Sequence, residues 1–214
     1  MKCRKKECLL RGDSVGGRLK YIIKKWRSFI YHPILQCKIR AGKKFLIGRG
    51  GIFLNPSDIK LGNQVTIGQD ARISCYRSYY EGQKLYPKLI VGNQVTLGNR
   101  CSILCADTIT IEDRVLIASD VVITSEDHGI EVETNKTYGS QKLSHEPVTI
   151  EEETWIGEKV IILKGVTIGK RSIIGAGSVV TKSIPPYCIA VGNPARVIKK
   201  YNFDTHSWDR WKDE

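Results

Sequence analysis

Apolar residues return every six positions through most of this chain. In the clearest run the openers are Ile150, Ile156, Ile162, Ile168, Ile174 and Val180, and Thr, Val, Ser or Ile stands four places after each. The same interval separates Leu61, Ile67 and Ile73, then Val91, Leu97 and Ile103, then Ile111, Ile117 and Ile123. Six does not match the 3.6-residue period of a helix, and it is too regular for scattered hairpins. Fixed self-similarity marks a repeat architecture. The beat predicts short extended segments that turn a corner after each hexad. The opener and the residue four places on face inward, and polar residues such as Asn63, Gln64, Lys159, Lys170 and Arg171 face water. Glycines at 62, 68, 92, 98, 157, 169 and 175 fall at the corners, where they are expected to supply backbone angles that a Cβ resists. Three segments close a coil, and coils stack by parallel pairing at about 4.8 Å per layer. Each coil buries its apolar edges only against its neighbours.

Breaks in the beat locate the loops. Phe53 to Leu61 and Ile103 to Ile111 are steps of eight, which predict two-residue bulges at a corner. Ile73 to Val91 is a step of 18, room for an irregular coil or a loop. Its sequence, YRSYYEGQKLYPK, lacks the Gly and β-branched pattern and favours a loop. Ile123 to Ile150 is a step of 27, so about 21 extra residues leave the coil there. Loops on a rigid scaffold commonly carry function. The chain divides into a basic N-terminal segment (1–45) with an amphipathic helix, a repeat domain (46–198) with an excursion at about 126–147, and a C-terminal tail (199–214).

Composition narrows the picture at the ends of the chain. A length of 214 residues with 41% hydrophobic content suits one main domain. No run of 18 apolar residues predicts a membrane-spanning helix, and the basic N-terminus lacks the apolar run and cleavage site of a signal peptide. Seven cysteines, an odd number without a CxxC pair, argue against a disulfide framework or a zinc ribbon, so a reducing cytoplasm is expected. Cys101 falls four places after an opener and reads as a small core residue. The net charge of +12 raises the question of nucleic acid, but Lys and Arg are spread through the hexads and no nucleic-acid module is present. A small polyanion suits this charge better. In residues 16–30, Leu19, Ile22, Ile23, Trp26, Phe29 and Ile30 share one helical face, with Asp13 or Ser14 as the cap. Two readings fit this helix: a lid over the first coil's unpaired strand edge, which is favoured, or peripheral contact with an anionic membrane surface. The tail aromatics Tyr201, Phe203, Trp208 and Trp211 are expected to pack back on the repeat domain or a neighbour.

Four histidines are present: His32, His128, His145 and His206. His128, in SEDHG, stands where the chain leaves the coil for the long excursion. The stretch WIGEKVIILKGVTIGKRSIIGAGSVVTKSIPP from Trp155, followed by GNPARVIK from Gly192, and the density of hexads over residues 47–198 resemble the hexapeptide-repeat acyltransferases. Maltose, galactoside and polysaccharide O-acetyltransferases are the most similar in pattern. The resemblance implies an all-β fold, a left-handed parallel β-helix forming a triangular prism. It implies direct acetyl transfer from acetyl-CoA to a sugar hydroxyl, no metal, and a homotrimer with sites between subunits. His128 matches the family's catalytic base, and a neutral imidazole with an ordinary pKa of about 6.5 can take a hydroxyl proton near pH 7. This chain has Asp-His-Gly where those enzymes typically show Gly-His-Pro, which leaves the local geometry and the acceptor open.

Other roles carry over by the same match. Asn99 and Asp107 would hold sugar hydroxyls, though Asn and Asp at corners also satisfy their own backbone. Trp155 would stand beside the acceptor. Gly175, Ala176 and Gly177 would line the pantetheine groove, and Thr181, Lys182, Arg196 and Lys199 would approach the nucleotide end. Glu158 occupies a position that is small and polar in the family, so no coenzyme contact is assigned to it. Asp127 is a candidate to orient the imidazole, and His145 is a weaker candidate base. N-acetylation of an amino sugar or xenobiotic on the same scaffold is the nearest alternative. A γ-type carbonic anhydrase or a non-catalytic β-helix subunit fits less well.

Overall fold

The computed structural model describes residues 38–211, and within them the chain visits three sheets in fixed rotation. Sheet I stacks Arg40–Ala41, Ile59–Leu61, Lys88–Val91, Thr108–Ile111, Val148–Ile150 and Thr167–Ile168 in parallel. Sheet II stacks Leu46–Ile47, Thr66–Ile67, Thr96–Leu97, Leu116–Ile117, Trp155–Ile156 and Ile173–Ile174. Sheet III stacks Ile52–Leu54, Arg72–Cys75, Ser102–Cys105, Val122–Thr124, Ile161–Ile162 and Val179–Val180. The first strand lies at Arg40, six residues ahead of the boundary expected at 46. The helix expected over 16–30, and His32, lie outside the described residues.

Register turns the six-residue beat into columns. Leu61, Val91, Ile111, Ile150 and Ile168 align on sheet I. Ile47, Ile67, Leu97, Ile117, Ile156 and Ile174 align on sheet II. Phe53, Ile73, Ile103, Ile123, Ile162 and Val180 align on sheet III. Every member of these columns is buried, and together they form one continuous apolar core. The residue four places on completes it: Val95, Cys101, Val115, Val121, Val160 and Val166 are all buried. Cys75, Cys101, Cys105 and Cys188 are buried free thiols. Burial pushes the Cys101 thiol up, and in Cys105 the contact with Cys75 and burial do the same.

The corner glycines have a different role from the one expected. Gly62 and Gly68 have ordinary φ, and what they need is room. A Cβ on Gly68 would lie 2.5 Å from the backbone of Gly98, and one on Gly62 would lie 2.4 Å from Gly92 O. Left-handed backbone occurs two residues later, at Gln64, Gln94, Arg114, Glu153 and Arg171 on the I–II corner and at Asp70, Arg100, Asp120 and Lys159 on the II–III corner, with φ between 55° and 61°. The cause is hydrogen bonding between coils. Each of these residues turns its N–H onto a corner carbonyl of the preceding coil, as Gln64 does to Lys43 (2.8 Å), Arg100 to Gln69 (2.8 Å) and Lys159 to Ser119 (3.1 Å). Asn and Asp side chains add a ladder beside them: Lys43 N–H donates to Asn63, Asn63 N–H to Asn93, and Asn93 N–H to Asp113. That bond and the Asn93 side-chain amide hold the Asp113 carboxyl below its usual range.

All the departures from the six-residue beat fall at one corner, between sheets III and I. The two-residue bulges are the Pro56–Asp58 turn region and Ala106–Asp107. Residues 76–87 form a loop with its own two-strand ribbon, Ser78–Tyr79 against Gln83–Lys84. The longest insertion, residues 125–147, leaves and returns through a second ribbon, Glu126–Asp127 against Ser144–His145. The tail folds back: Cys188–Gly192 continues sheet II in parallel, and Ala195–Asn202 and Ser207–Arg210 extend it antiparallel. Tyr187, Tyr201, Phe203 and Trp208 meet edge to face there, at 4.9–5.4 Å between centroids. Among the described residues no helix is long and apolar enough to cross a membrane.

The two corner positions predict opposite responses to substitution. Gly68→Ala should destabilise by roughly 1–3 kcal/mol, the cost of overpacking against backbone. Gln64→Gly should be neutral or stabilising by up to about 1 kcal/mol. It relieves a left-handed conformation costing about 1–2 kcal/mol, against a glycine entropy penalty of roughly 0.4–1 kcal/mol. Urea unfolding of both variants checks the sign.

Candidate active site

The III–I corner gathers the titratable and aromatic side chains of the two insertions. Its floor is Ser125, fully buried, whose Oγ accepts the N–H groups of Ala106 (2.9 Å) and Asp107 (3.0 Å). This ties the bulge of one coil to the exit of the next. Leu85, Ala106 and Leu143 form a small apolar cluster, with Tyr76 and Tyr79 packed against it. The loops are further joined by the Gln83 side-chain amide, which donates to Leu143 O (2.9 Å) and accepts Leu143 N–H (2.8 Å), as a neighbouring strand would. The Gln141 amide, itself buried, does the same for Glu131. Lys136 pairs with Glu81 at 2.6 Å across the loop tips.

Two imidazoles stand on this edge with different partners. His128 is exposed, its Nδ1 3.2 Å from Tyr79 Oη, and the two rings are 5.7 Å apart and tilted. The Tyr79 hydroxyl also donates to Gly139 O at 2.8 Å. His145 Nδ1 lies 2.8 Å from Asp107 Oδ2, while Asp107 Oδ1 accepts Thr108 N–H at 2.6 Å. Asp127 points elsewhere: its nearest charged partner is Lys164, 3.9 Å away, and Lys164 is engaged more closely by Glu146 at 2.6 Å. Glu126 sits across the ribbon from His145. Burial pushes its carboxyl up, the His128 charge opposes this, and Asp127 adds to it.

The remaining predicted residues fall on other parts of the coil. Asn99 lies on the II–III corner, where its Oδ1 accepts Gln69 N–H at 2.8 Å and its amide nitrogen has no partner among the described residues. Gly175, Ala176 and Gly177 turn the same corner three coils further on. A Cβ on Gly177 would meet nothing within 4 Å, and its φ is +71°. The bidentate Arg100–Asp120 pair holds the Asp120 carboxyl low on this edge. Trp155 stands on the outer side of sheet II, half exposed, between Leu116 and Ile173 in register. Thr181 and Lys182 follow the last sheet III strand and are exposed. Arg196 and Lys199 are exposed on the strand Ala195–Asn202. The structure therefore brings His128 and Asp107 to one edge of sheet III, and Asn99 and the Gly175–Gly177 turn to the other. An open groove of about 550 Å³ on sheet I, lined by Arg40, Lys60, Arg77, Tyr86 and Lys88 among others, contains none of them.

Comparison with known proteins agrees with this architecture. Residues 147–182 match the model described as bacterial transferase hexapeptide (six repeats), and residues 88–125 match the hexapeptide repeat of succinyl-transferase. An Escherichia coli K12 protein, WbbJ, is 31% identical over 73% of this chain and 79% of its own length; its name, lipopolysaccharide biosynthesis O-acetyl transferase, is itself provisional. The chain belongs to the hexapeptide-repeat acetyltransferases. Galactoside O-acetyltransferase of Escherichia coli K12 is 38% identical over 64% of each protein, so this chain spans just under two thirds of that relative's length. A hexapeptide-repeat acetyltransferase of Vibrio cholerae, solved with acetyl coenzyme A, shares the fold with a TM-score of 0.56 at 24% identity, over 86% of this chain and 84% of that one.

Within this hexapeptide-repeat acetyltransferase, sequence reasoning missed the supporting residues Tyr79, Gln83 and Gln141. The signal available was the Tyr-rich break in the beat before Val91, which marked a loop but not what it would touch. Glu126 yields a pH test. A carboxyl raised by burial is destabilising once ionised, so its contribution is most favourable below the ordinary carboxyl pKa and is lost as pH rises through the raised folded value. Glu126→Gln should therefore raise stability at pH 8 and leave it nearly unchanged at pH 4, as measured by urea unfolding at the two pH values.

Proposed function

We propose that the protein transfers an acetyl group from acetyl-CoA to a sugar hydroxyl, in cell-surface polysaccharide or saccharide modification, with His128 as the general base. The observation that carries this reading is the placement of His128. It is exposed at the loop exit, anchored through Nδ1 by a tyrosine of the second insertion, in a chain whose 79%-covered relative is named for O-acetyl transfer in lipopolysaccharide biosynthesis. In the proposed reaction His128 Nε2 takes the proton of the acceptor hydroxyl. The freed oxygen attacks the thioester carbonyl carbon, the C–S bond breaks, and the proton passes to the departing thiolate.

Acetyl-CoA would lie along the II–III edge. In the turn Gly175, Ala176 and Gly177 a Cβ on Gly177 would meet nothing within 4 Å, which leaves space for the pantetheine arm, and Thr181, Lys182, Arg196 and Lys199 are exposed cationic or hydroxyl groups suited to its phosphates. The amide nitrogen of Asn99 is available to a sugar oxygen. Asp107 accepts Thr108 N–H on one oxygen and faces His145 with the other, and each oxygen keeps a further lone pair for a sugar hydroxyl.

The coil is taken as left-handed, and the protein as a cytoplasmic homotrimer with sites between subunits. Two features support a site completed by a second copy: the Gly175–Gly177 turn and His128 stand on opposite edges of sheet III, and Leu116 and Trp155, neighbours in register, are both exposed on sheet II. Light scattering should give about three times the 24.1 kDa chain mass. A monomer at assay concentration would remove the shared site.

Thiol release from acetyl-CoA against a panel of mono- and oligosaccharides tests the activity. His128→Ala should lower kcat by about 10²–10⁴, the usual contribution of a general base, while coenzyme A affinity by calorimetry stays within about twofold. Unchanged turnover, or lost coenzyme binding in that variant, would overturn the assignment.

A further inference from the structure

The 12-residue insertion between Cys75 and Lys88 makes none of the coil's core, yet one of its side chains reaches the imidazole of His128. Tyr79 Oη carries a single proton. Gly139 O, 2.8 Å away, can only accept, so the phenol donates there. Toward His128 Nδ1, 3.2 Å away, the phenol oxygen is left as an acceptor, and Nδ1 must hold the hydrogen. A neutral imidazole has one N–H, so the lone pair falls on Nε2, the nitrogen that can take a proton from an acceptor.

We infer that Tyr79 is a positioning residue that fixes His128 in the Nδ1–H tautomer and so presents Nε2 as the base, an inference that rests on His128 being the general base. Two contacts hold Tyr79 in place, and the second is itself braced. Its half-buried ring packs against the Leu85–Ala106–Leu143 cluster, its ribbon partner is Gln83, and Gln83 in turn clasps Leu143 of the long insertion. The acceptor of its proton is equally fixed. Gly139 lies in the tight turn Tyr138–Ser140, closed by Ser140 N–H donating to Thr137 O at 2.9 Å and by Ser140 Oγ donating to the same oxygen at 3.0 Å. The chain Gly139 O, Tyr79 O–H, His128 Nδ1–H therefore runs in one direction only, because a carbonyl at its end cannot donate. The second imidazole provides a contrast. His145 is oriented by the Asp107 carboxylate, whereas His128 is oriented by a neutral hydroxyl that sets the tautomer without adding a charge beside the acceptor.

The test separates tautomer from turnover. Long-range proton–nitrogen NMR on the full chain with ¹⁵N-histidine, with His128 assigned by comparison with His128→Gln, reads which ring nitrogen carries hydrogen. Wild type should show Nε2 bare, and Tyr79→Phe, which keeps the packed ring, should shift His128 towards the Nε2–H form. With the saccharide that supports thiol release in wild type, Tyr79→Phe should lower kcat on the order of ten- to a hundredfold, short of the loss from removing the base, with KM for acetyl-CoA unchanged. A wild-type spectrum with hydrogen on Nε2 overturns the inference, as does a Tyr79→Phe variant that keeps either the wild-type tautomer or the wild-type kcat. Continued acetyl transfer by His128→Ala would instead remove the general-base reading, and the spectrum alone would then decide what Tyr79 does.

Discussion

Parallel pairing between coils is the constraint on which everything else in this protein depends. At a strand spacing of about 4.8 Å, the backbones of consecutive coils come too close at some corners for a side chain to stand between them. Gly62 against Gly92 and Gly68 against Gly98 meet that demand by having none. The residues that follow, such as Gln64 and Arg100, accept a left-handed backbone so that their N–H groups bond to the coil before. Hydrogen bonding between coils thus sets which corner residue is strained, and close backbone approach sets where glycine is needed. The apolar columns inside are the other half of the same arrangement, since each inward Ile or Val sits on its register partner above and below.

This constraint also dictates where extra chain can go. The I–II and II–III corners keep their length in every coil, because their left-handed residues and Asn or Asp side chains are tied to the coil before. The III–I corner carries the Pro56–Asp58 turn, the 76–87 loop, the Ala106–Asp107 bulge and the 125–147 excursion. Stacked on one edge, these insertions touch each other: Arg77 pairs with Asp58, Gln83 bonds to Leu143, and Lys136 pairs with Glu81. Tyr79 meets His128, and Asp107 meets His145, because of that stacking, although 49 residues separate the first two.

The repeat itself was legible because six-residue periodicity has a direct physical reading: every opener from Leu61 to Val180 sits in an inward column. The steps of eight, 18 and 27 also located the insertions. What the sequence did not disclose was that all four share a corner, since that depends on counting coils in three dimensions. The glycine argument had the right residues and the wrong reason: a Cβ is excluded by the coil alongside, not by φ. The Tyr79 to His128 contact was invisible, because a long-range pair between two irregular loops leaves no period to read. Asn99 shows a different limit. Its residue type suits both a sugar hydroxyl and a corner ladder, and in the fold its oxygen serves the ladder while its nitrogen remains open.

Gln83 and Gln141 give the loops a property that the coil lacks. Each spends its side-chain amide on loop backbone: Gln83 fastens the 76–87 loop to Leu143 of the long excursion, and Gln141 braces that excursion internally at Glu131. The coil is fastened chiefly by main chain, with an Asn and Asp ladder beside it. A substitution that remodels the loops therefore leaves the ladder of the scaffold untouched, and a substitution in a column leaves the loop contacts in place. Durability and selectivity are written in separate parts of the chain, and evolution can revise the second without reopening the first.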